Sequence, residues 1–331
     1  MSTSSAVICY MWMVLSERNG LRETEIFKSN LKTDEELYTY LGFIENGQDC
    51  GPVLVGDKGV GTFGGSGDHT AIMSSEAGRL KLFSYCPTKH EATFDFPSSL
   101  SFVIGVSGAR AEKTGDAMAD YNNAAFLARD AAAAWRNSTG TMPLGRRTFV
   151  EECPNLAEVI RHVREELGDA GSDDARVRNM IGESMAKVDD GERYGPGGDA
   201  RYRKGALRER FEQFFDESEL FTPQLAKALA ASDPEKLGKI TDESHRLTVE
   251  CLRNTIPETA WLPQEARRLG ALGASAFGAG FGGSCWAVVQ REGAAAFAEA
   301  WAKAYREKFP RWTGKCLFFT MLPGPGACAL H

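Results

Sequence analysis

No two cysteines in this 331-residue chain stand at metal-binding or redox spacing. The eight, Cys9, Cys50, Cys86, Cys153, Cys251, Cys285, Cys316 and Cys328, are scattered, with no CxxC and no neighbouring histidine pair. Structural zinc needs closely spaced Cys and His ligands, so zinc chemistry is not expected. Several of the thiols sit in apolar stretches, as buried free thiols do, which points to a reducing cytoplasm without a disulfide framework. Basic residues are not in excess: the formal net charge is −7. Non-specific binding to nucleic acid or an anionic membrane is therefore not expected. No apolar run reaches the roughly 20 residues that span a bilayer. The run at the start also lacks the basic flank and small-residue cleavage site of a signal peptide. There is no fixed-period repeat and no low-complexity block. What is present is an ordinary globular composition, 43% hydrophobic and 25% charged, in a chain long enough for two domains or one two-lobed unit.

Helical and strand patterns alternate in an informative order. Ala6–Leu15 follows no single apolar stripe and predicts a helix buried nearly all round, capped by the Ser and Thr before it. A second helix is predicted over Asp34–Glu45, ended by Asn46-Gly47. Residues 51–67, GPVLVGDKGVGTFGGSG, form a glycine-rich connection to a short helix that begins at Asp68. Strands are predicted at 79–86, 90–96 and 100–108, and an alanine-rich helix over about Gly115–Trp135. The stretch from about Asn155 to Arg268 reads as helical, with GGDARYRKG near 197–205 as its most loop-like break. The end reads strand (273–280), turn, strand (285–290), helix (293–308), strand (315–321). That order predicts an α+β fold with helices on one face of an antiparallel sheet.

Three stretches can carry chemistry. Ser2-Thr3-Ser4-Ser5-Ala6 opens a helix, where free amides and partial positive charge accept a phosphate, and hydroxyls can add donors or a Mg²⁺ ligand. Taken alone it reads as a frayed, serine-rich start with one N-cap. Gly64-Gly65-Ser66-Gly67-Asp68 allows close backbone approach, with an Asp placed to accept or orient a proton. Taken alone it is an Asp N-cap after a flexible loop, and His69 beside it gets no role. Gly278-Ala279-Gly280-Phe281-Gly282-Gly283 lies between two strands, so it is not a dinucleotide fingerprint, and no GK[ST] follows to make a P-loop. Its amides could still approach a phosphate, and a wide hairpin explains it equally well.

In order and spacing, MSTSSA, GGSGD and GAGFGG resemble the phosphate loop, the catalytic-Asp segment and the late glycine loop of the GHMP small-molecule kinases, galactokinase most closely. AEKTGDAMADYNNA (111–124) is similar to that family's segment with a sugar-contacting Tyr, and residues 206–246 to its helical region. The resemblance implies a two-lobed GHMP kinase fold. Residues 1–150 would be an incomplete N-terminal lobe, and 151–331 a helical segment and a ferredoxin-like C-terminal α/β sandwich. It also implies a chain that starts inside the phosphate loop: a fragment, a late-assigned start or a degraded copy. The family signature R-x-N-x-x-G-E-H-x-D, which carries a catalytic Arg, occurs nowhere in the sequence.

The resemblance implies an ATP-dependent, Mg²⁺-assisted transfer of phosphoryl to the anomeric hydroxyl of galactose, with no protein partner. Ser2, Thr3, Ser4, Ser5 and Ala6, with Gly278, Ala279, Gly280, Phe281, Gly282 and Gly283, would bind ATP. Ser4 would contact Mg²⁺, with Ser5 as the alternative, and Asp57 would be a second ligand in place of the family's Glu, whose aligned position is Gly56. Asp68 would orient or deprotonate the sugar, and Gly65 and Tyr121 would contact it. The missing Arg implies a rate loss of roughly 10³–10⁵, and missing strands would leave unpaired sheet edges, so the chain alone is expected to be poorly soluble or inactive. Kinases for arabinose, fucose or a uronic acid, and a non-catalytic sugar and ATP sensor, are the alternatives.

Overall fold

The computed structural model describes residues 2–85, 87–111, 118–140, 155–186, 205–278 and 280–328. Cys86, Cys153, Ala279, the boundary expected at 150, most of AEKTGDAM and the GGDARYRKG break as far as Lys204 lie outside the described residues. In chain order the elements are α1 (Thr3–Asn19), α2 (Glu25–Asn30), α3 (Asp34–Asn46), α4 (Gly67–Ser74), β1 (Arg79–Ser84), β2 (Lys89–Asp95), β3 (Leu100–Val106) and α5 (Met118–Thr139). They continue with α6 (Leu156–Leu167), α7 (Asp174–Ala186), α8 (Ala206–Phe215), α9 (Thr222–Ala230), α10 (Pro234–Leu247) and α11 (Pro257–Arg268). The last four are β4 (Gly273–Ala276), β5 (Ser284–Gln290), α12 (Ala294–Lys308) and β6 (Leu317–Met321). A π-helical turn, Asp216–Phe221, joins α8 to α9. No helix among the described residues is long and apolar enough to cross a membrane.

The strand predictions hold closely, and the pairing explains why β3 is the most apolar strand. It lies inside an antiparallel four-stranded sheet of order β4-β5-β3-β6, with Val103 opposite Ala287 on one side and Thr320 on the other. The sheet thus takes one strand from before residue 150 and three from after it. On one face Val103, Cys285, Ala287 and Val289 pack against Leu262 and Ala266 of α11 and Trp301 and Tyr305 of α12. Side chains alternate along a strand, so Val288 points the other way. It meets Leu229 of α9 and Leu237 and Ile240 of α10. Helices therefore cover both faces, not one, because the helical segment before α11 folds back over the sheet. A separate β1–β2 hairpin stands beside it.

The remaining helices form two groups. Trp135 of α5, Val159 and Val163 of α6, Ile181 of α7 and Phe211 and Phe215 of α8 build a helical core. Arg178 joins its helices by pairing with Glu212 and Asp216. At the start of the chain, Cys9 of α1 packs with Leu37 and Leu41 of α3. Here one expectation fails. α1 buries only the stripe Ser5, Cys9 and Ser16, while Val7, Tyr10, Met11, Val14 and Leu15 are 44–64% exposed. The reason is that α3 and α4 meet α1 along one side only. The far end of α4 is tied by the last described residues, where Gly326 N donates to Ser75 O and Ala327 N to Ile72 O, each at 2.7 Å.

Trp301 is fully buried, lies edge-on to Phe318 at 5.2 Å and donates its indole N–H to Leu262 O at 3.1 Å. Trp301→Ala should lower unfolding free energy by about 3–5 kcal/mol, read as a fall in the urea midpoint. A loss below about 1 kcal/mol would show that α12 is not a principal support of the sheet.

Candidate active site

The start of α1 is closed by its own hydroxyls. Ser2 is the N-cap, with extended backbone, and its Oγ accepts from Ser5 N at 3.4 Å and lies 2.8 Å from Ser5 Oγ. The remaining first-turn amides, of Thr3 and Ser4, stand at the positive end of the helix. Facing them is Glu45, in the last turn of α3. That helix is fixed by a Thr33–Glu36 capping box at its start and by left-handed Gly47 at its end. Ser4 Oγ donates to Glu45 Oε1 at 2.6 Å and Ser5 Oγ to Oε2 at 2.7 Å. His69 Nε2 lies 3.0 Å from Oε2, off the best hydrogen-bonding direction. Burial alone would raise the Glu45 carboxyl, but His69, Ser4 and Ser5 outweigh it and hold the pKa at about 2.

Two asparagines place Asp68. Asn46, next to Glu45, donates to Gly64 O at 2.5 Å and accepts from Gly64 N at 3.1 Å. Asn122, in the first turns of α5, accepts from Phe63 N and donates to Gly61 O, each at 3.1 Å. The segment 61–64 is thus held between α3 and α5 before it turns into α4. Asp68 then stands exposed in the first turn of α4, with Gly65 exposed before it. Tyr121 reaches the same place: a Cβ on Gly64 would lie 3.4 Å from its hydroxyl. Burial raises the Tyr121 phenol above its ordinary value, and the charges of Asp68 and Glu45 raise it further. Tyr85 flanks Asp68 from the β1 side, its hydroxyl 3.6 Å from where a Gly67 Cβ would be. Burial raises that phenol too, with a hydrogen bond to Thr70 working against it and the Asp68 charge adding to it.

The late glycine loop docks on the end of β3. Gly283 N donates to Ala109 O at 2.9 Å, and Phe281 N to Asn254 O at 2.5 Å. Gly278, Gly280, Phe281, Gly282 and Gly283 all have positive φ. A Cβ on Gly280 would sit 1.9 Å from Asn254 O, and one on Gly282 3.0 Å from Ala109 O. Backbone packing therefore requires glycine at 280 and leaves little room for anything else at 282. Among the described residues no hydrogen bond links this loop to Ser2–Ala6.

Of the residues singled out in the sequence, the structure brings Ser2–Ala6 to Glu45, and Asp68 to Tyr121. Asp57 is exposed and makes no ion pair among the described residues. Glu45 was missed because it precedes Asp68 by far more than three helical turns. The intervening segment closes on itself: Val60 N donates to Glu45 O at 2.9 Å, and a Cβ on Gly59 would lie 2.2 Å from Asn46 C. Residue 61 thus resumes beside residue 46, and position 56 falls within the excursion. No cluster of three or more His, Cys, Asp or Glu that could hold a metal occurs among the described residues. One carboxylate and one hydroxyl at a helix start suit Mg²⁺, which keeps waters and takes substrate phosphates as ligands.

Comparison with known proteins bears on the fold. The family described as GHMP kinases, C terminal, matches residues 225–307. The structure superposes on that of a Lactococcus lactis galactokinase solved with galactose, at TM-score 0.65 and 19% identity, over 99% of this chain and 67% of that one. The chain therefore has the GHMP kinase fold. Within that class it is similar to galactokinases: it is 36% identical over 103 residues to those of Pyrococcus furiosus and Thermococcus kodakarensis. The matched stretch spans 31% of this chain and 28% and 29% of those two proteins.

Two outcomes follow from the site's packing. Glu45 has its carboxyl pKa lowered, so its contribution to stability is present above the ordinary 4.5 and disappears as pH falls toward 2. Glu45→Gln should be less stable than wild type near pH 7, on the order of 2–3 kcal/mol, with the gap closing between pH 4.5 and 2 in urea titrations. A gap independent of pH would contradict the ionised carboxylate. Gly280→Ala, with positive φ and a backbone overlap, should lose at least about 1–3 kcal/mol. An unchanged melting temperature would mean that the loop does not hold this conformation.

Proposed function

We infer that the site transfers the γ-phosphoryl group of ATP to a sugar hydroxyl, with galactose as the acceptor that the similarity to galactokinases favours. The observation that carries this reading is that Glu45 binds Ser4 and Ser5 at the start of α1 and lies 3.0 Å from His69, the residue next to Asp68. Phosphoryl transfer needs positioning and charge stabilisation more than covalent chemistry. The first-turn amides of α1, with Ser2, Thr3, Ser4, Ser5 and Ala6, would hold the β- and γ-phosphates. Ser4 and Glu45 would hold Mg²⁺, which supplies charge neutralisation on the phosphates when bound. The low pKa of Glu45 suits that part, since it stays ionised wherever ATP chemistry occurs.

Asp68 is exposed and free to meet a hydroxyl. It would orient the sugar and accept its proton late in a loose transition state. Tyr121 and the backbone of Gly65 would line the sugar's side, and the loop Gly278–Gly283 would shape the phosphate side. A soluble, cytoplasmic setting fits this use of ATP and a free sugar.

Galactose-dependent release of ADP tests the reading. Wild type should release ADP only with sugar present. Asp68→Asn should reduce that rate by ~10²–10⁴. ADP release that ignores galactose, or that survives Asp68→Asn, would contradict the assignment.

A further inference from the structure

We propose that His69 is a positioning residue that holds the Glu45 carboxylate in place for the nucleotide-bound cation. The inference rests on the phosphoryl-transfer reading and adds a residue to it. Glu45 stands in the last turn of α3, the negative end of a helix, where a carboxylate is disfavoured. It is also only 8% exposed. A buried carboxylate in that position must be supplied with donors. Three face it, and they are not equivalent. Ser4 and Ser5 belong to the helix start that would receive the phosphates, so their hydroxyls have a second use. His69 has none. It is 2% exposed, lies on α4 and not on the phosphate-binding turn, and among the described residues neither ring nitrogen has a well-directed hydrogen bond. Its Nε2 has one acceptor within reach, Glu45 Oε2 at 3.0 Å.

The geometry assigns the proton. An ionised carboxylate only accepts, so the 3.0 Å approach to Glu45 Oε2 places the hydrogen on Nε2. Its direction is short of ideal, as contacts in unliganded sites often are before the ligand tightens them. His69 also follows Asp68 directly, so the residue that fixes the metal-side carboxylate shares a helical turn with the residue that meets the sugar. One short helix would thus set the distance between the two halves of the reaction, and its far end is tied down by the backbone of Gly326 and Ala327.

The test uses Mn²⁺ and ADP as probes on the full chain, with Mn²⁺ followed by electron paramagnetic resonance. His69→Leu should weaken binding of the Mn²⁺–ADP complex by about 10–100-fold. Binding of metal-free ADP should be unchanged. His69→Gln, whose amide keeps a donor, should recover most of the loss. Nitrogen-15 spectra of the wild-type ring should show a protonated Nε2. Equal losses with and without metal would reduce His69 to a packing role and overturn the proposal. So would a bare Nε2, or His69→Leu binding Mn²⁺–ADP like wild type. If wild type itself binds no Mn²⁺–ADP, the phosphoryl-transfer reading falls and this proposal falls with it.

Discussion

The first part of this fold depends on one buried carboxylate. Glu45 is out of water at the wrong end of a helix, and two hydroxyls at the start of α1 together with His69 at the start of α4 hold its pKa low. Each of those helices is thereby pinned by the chemistry it presents. α1 exposes its apolar side and keeps a single buried stripe, so its placement leans heavily on this end. The start of α1 is a favourable place for a carboxylate or a phosphate, whereas the end of α3 is an unfavourable one for Glu45. That asymmetry is the strongest physical argument that the cluster has a use beyond packing.

The site is assembled from backbone as much as from side chains. Asn46 and Asn122 each grip the peptides of residues 61–64 as a neighbouring strand would, and so connect α3, α5 and the turn into α4. β3 performs the same service for the other half. It is the strand that both flanks of the sheet share, and its end receives the glycine loop through Ala109 and Ser107. The late strands therefore reach the site through a strand that comes early in the chain.

Much of this was legible in the sequence where local rules dominate. The ends of α3 follow from Thr33, Glu36 and Gly47, and the strands follow from their apolar alternation. The short helix at Asp68 is there, although it starts at Gly67 with Ser66 and not Asp68 as its cap, and the Tyr121 hydroxyl lies beside Gly64. What sequence spacing could not give was Glu45. Counting residues upstream of Asp68 assumes a direct path, and the chain instead makes a closed excursion that returns to Asn46. The exposure of α1 was missed for a related reason: an apolar helix without a stripe looks buried, and only its neighbours decide which side they cover. Helices on both sheet faces escaped because the covering residues lie far from the strands in sequence.

The central claim is that the open start of α1 and Glu45 together form the nucleotide phosphate site. A crystal structure with a non-hydrolysable ATP analogue and Mn²⁺ tests it most directly, because anomalous scattering locates the cation independently of the chain. The account predicts one Mn²⁺ between Ser4 and Glu45, with the γ-phosphate against the first-turn amides of α1 and its far side toward Asp68. Manganese or phosphates bound elsewhere, with Ser4 and Ser5 still bonded to Glu45 as they are here, would contradict it.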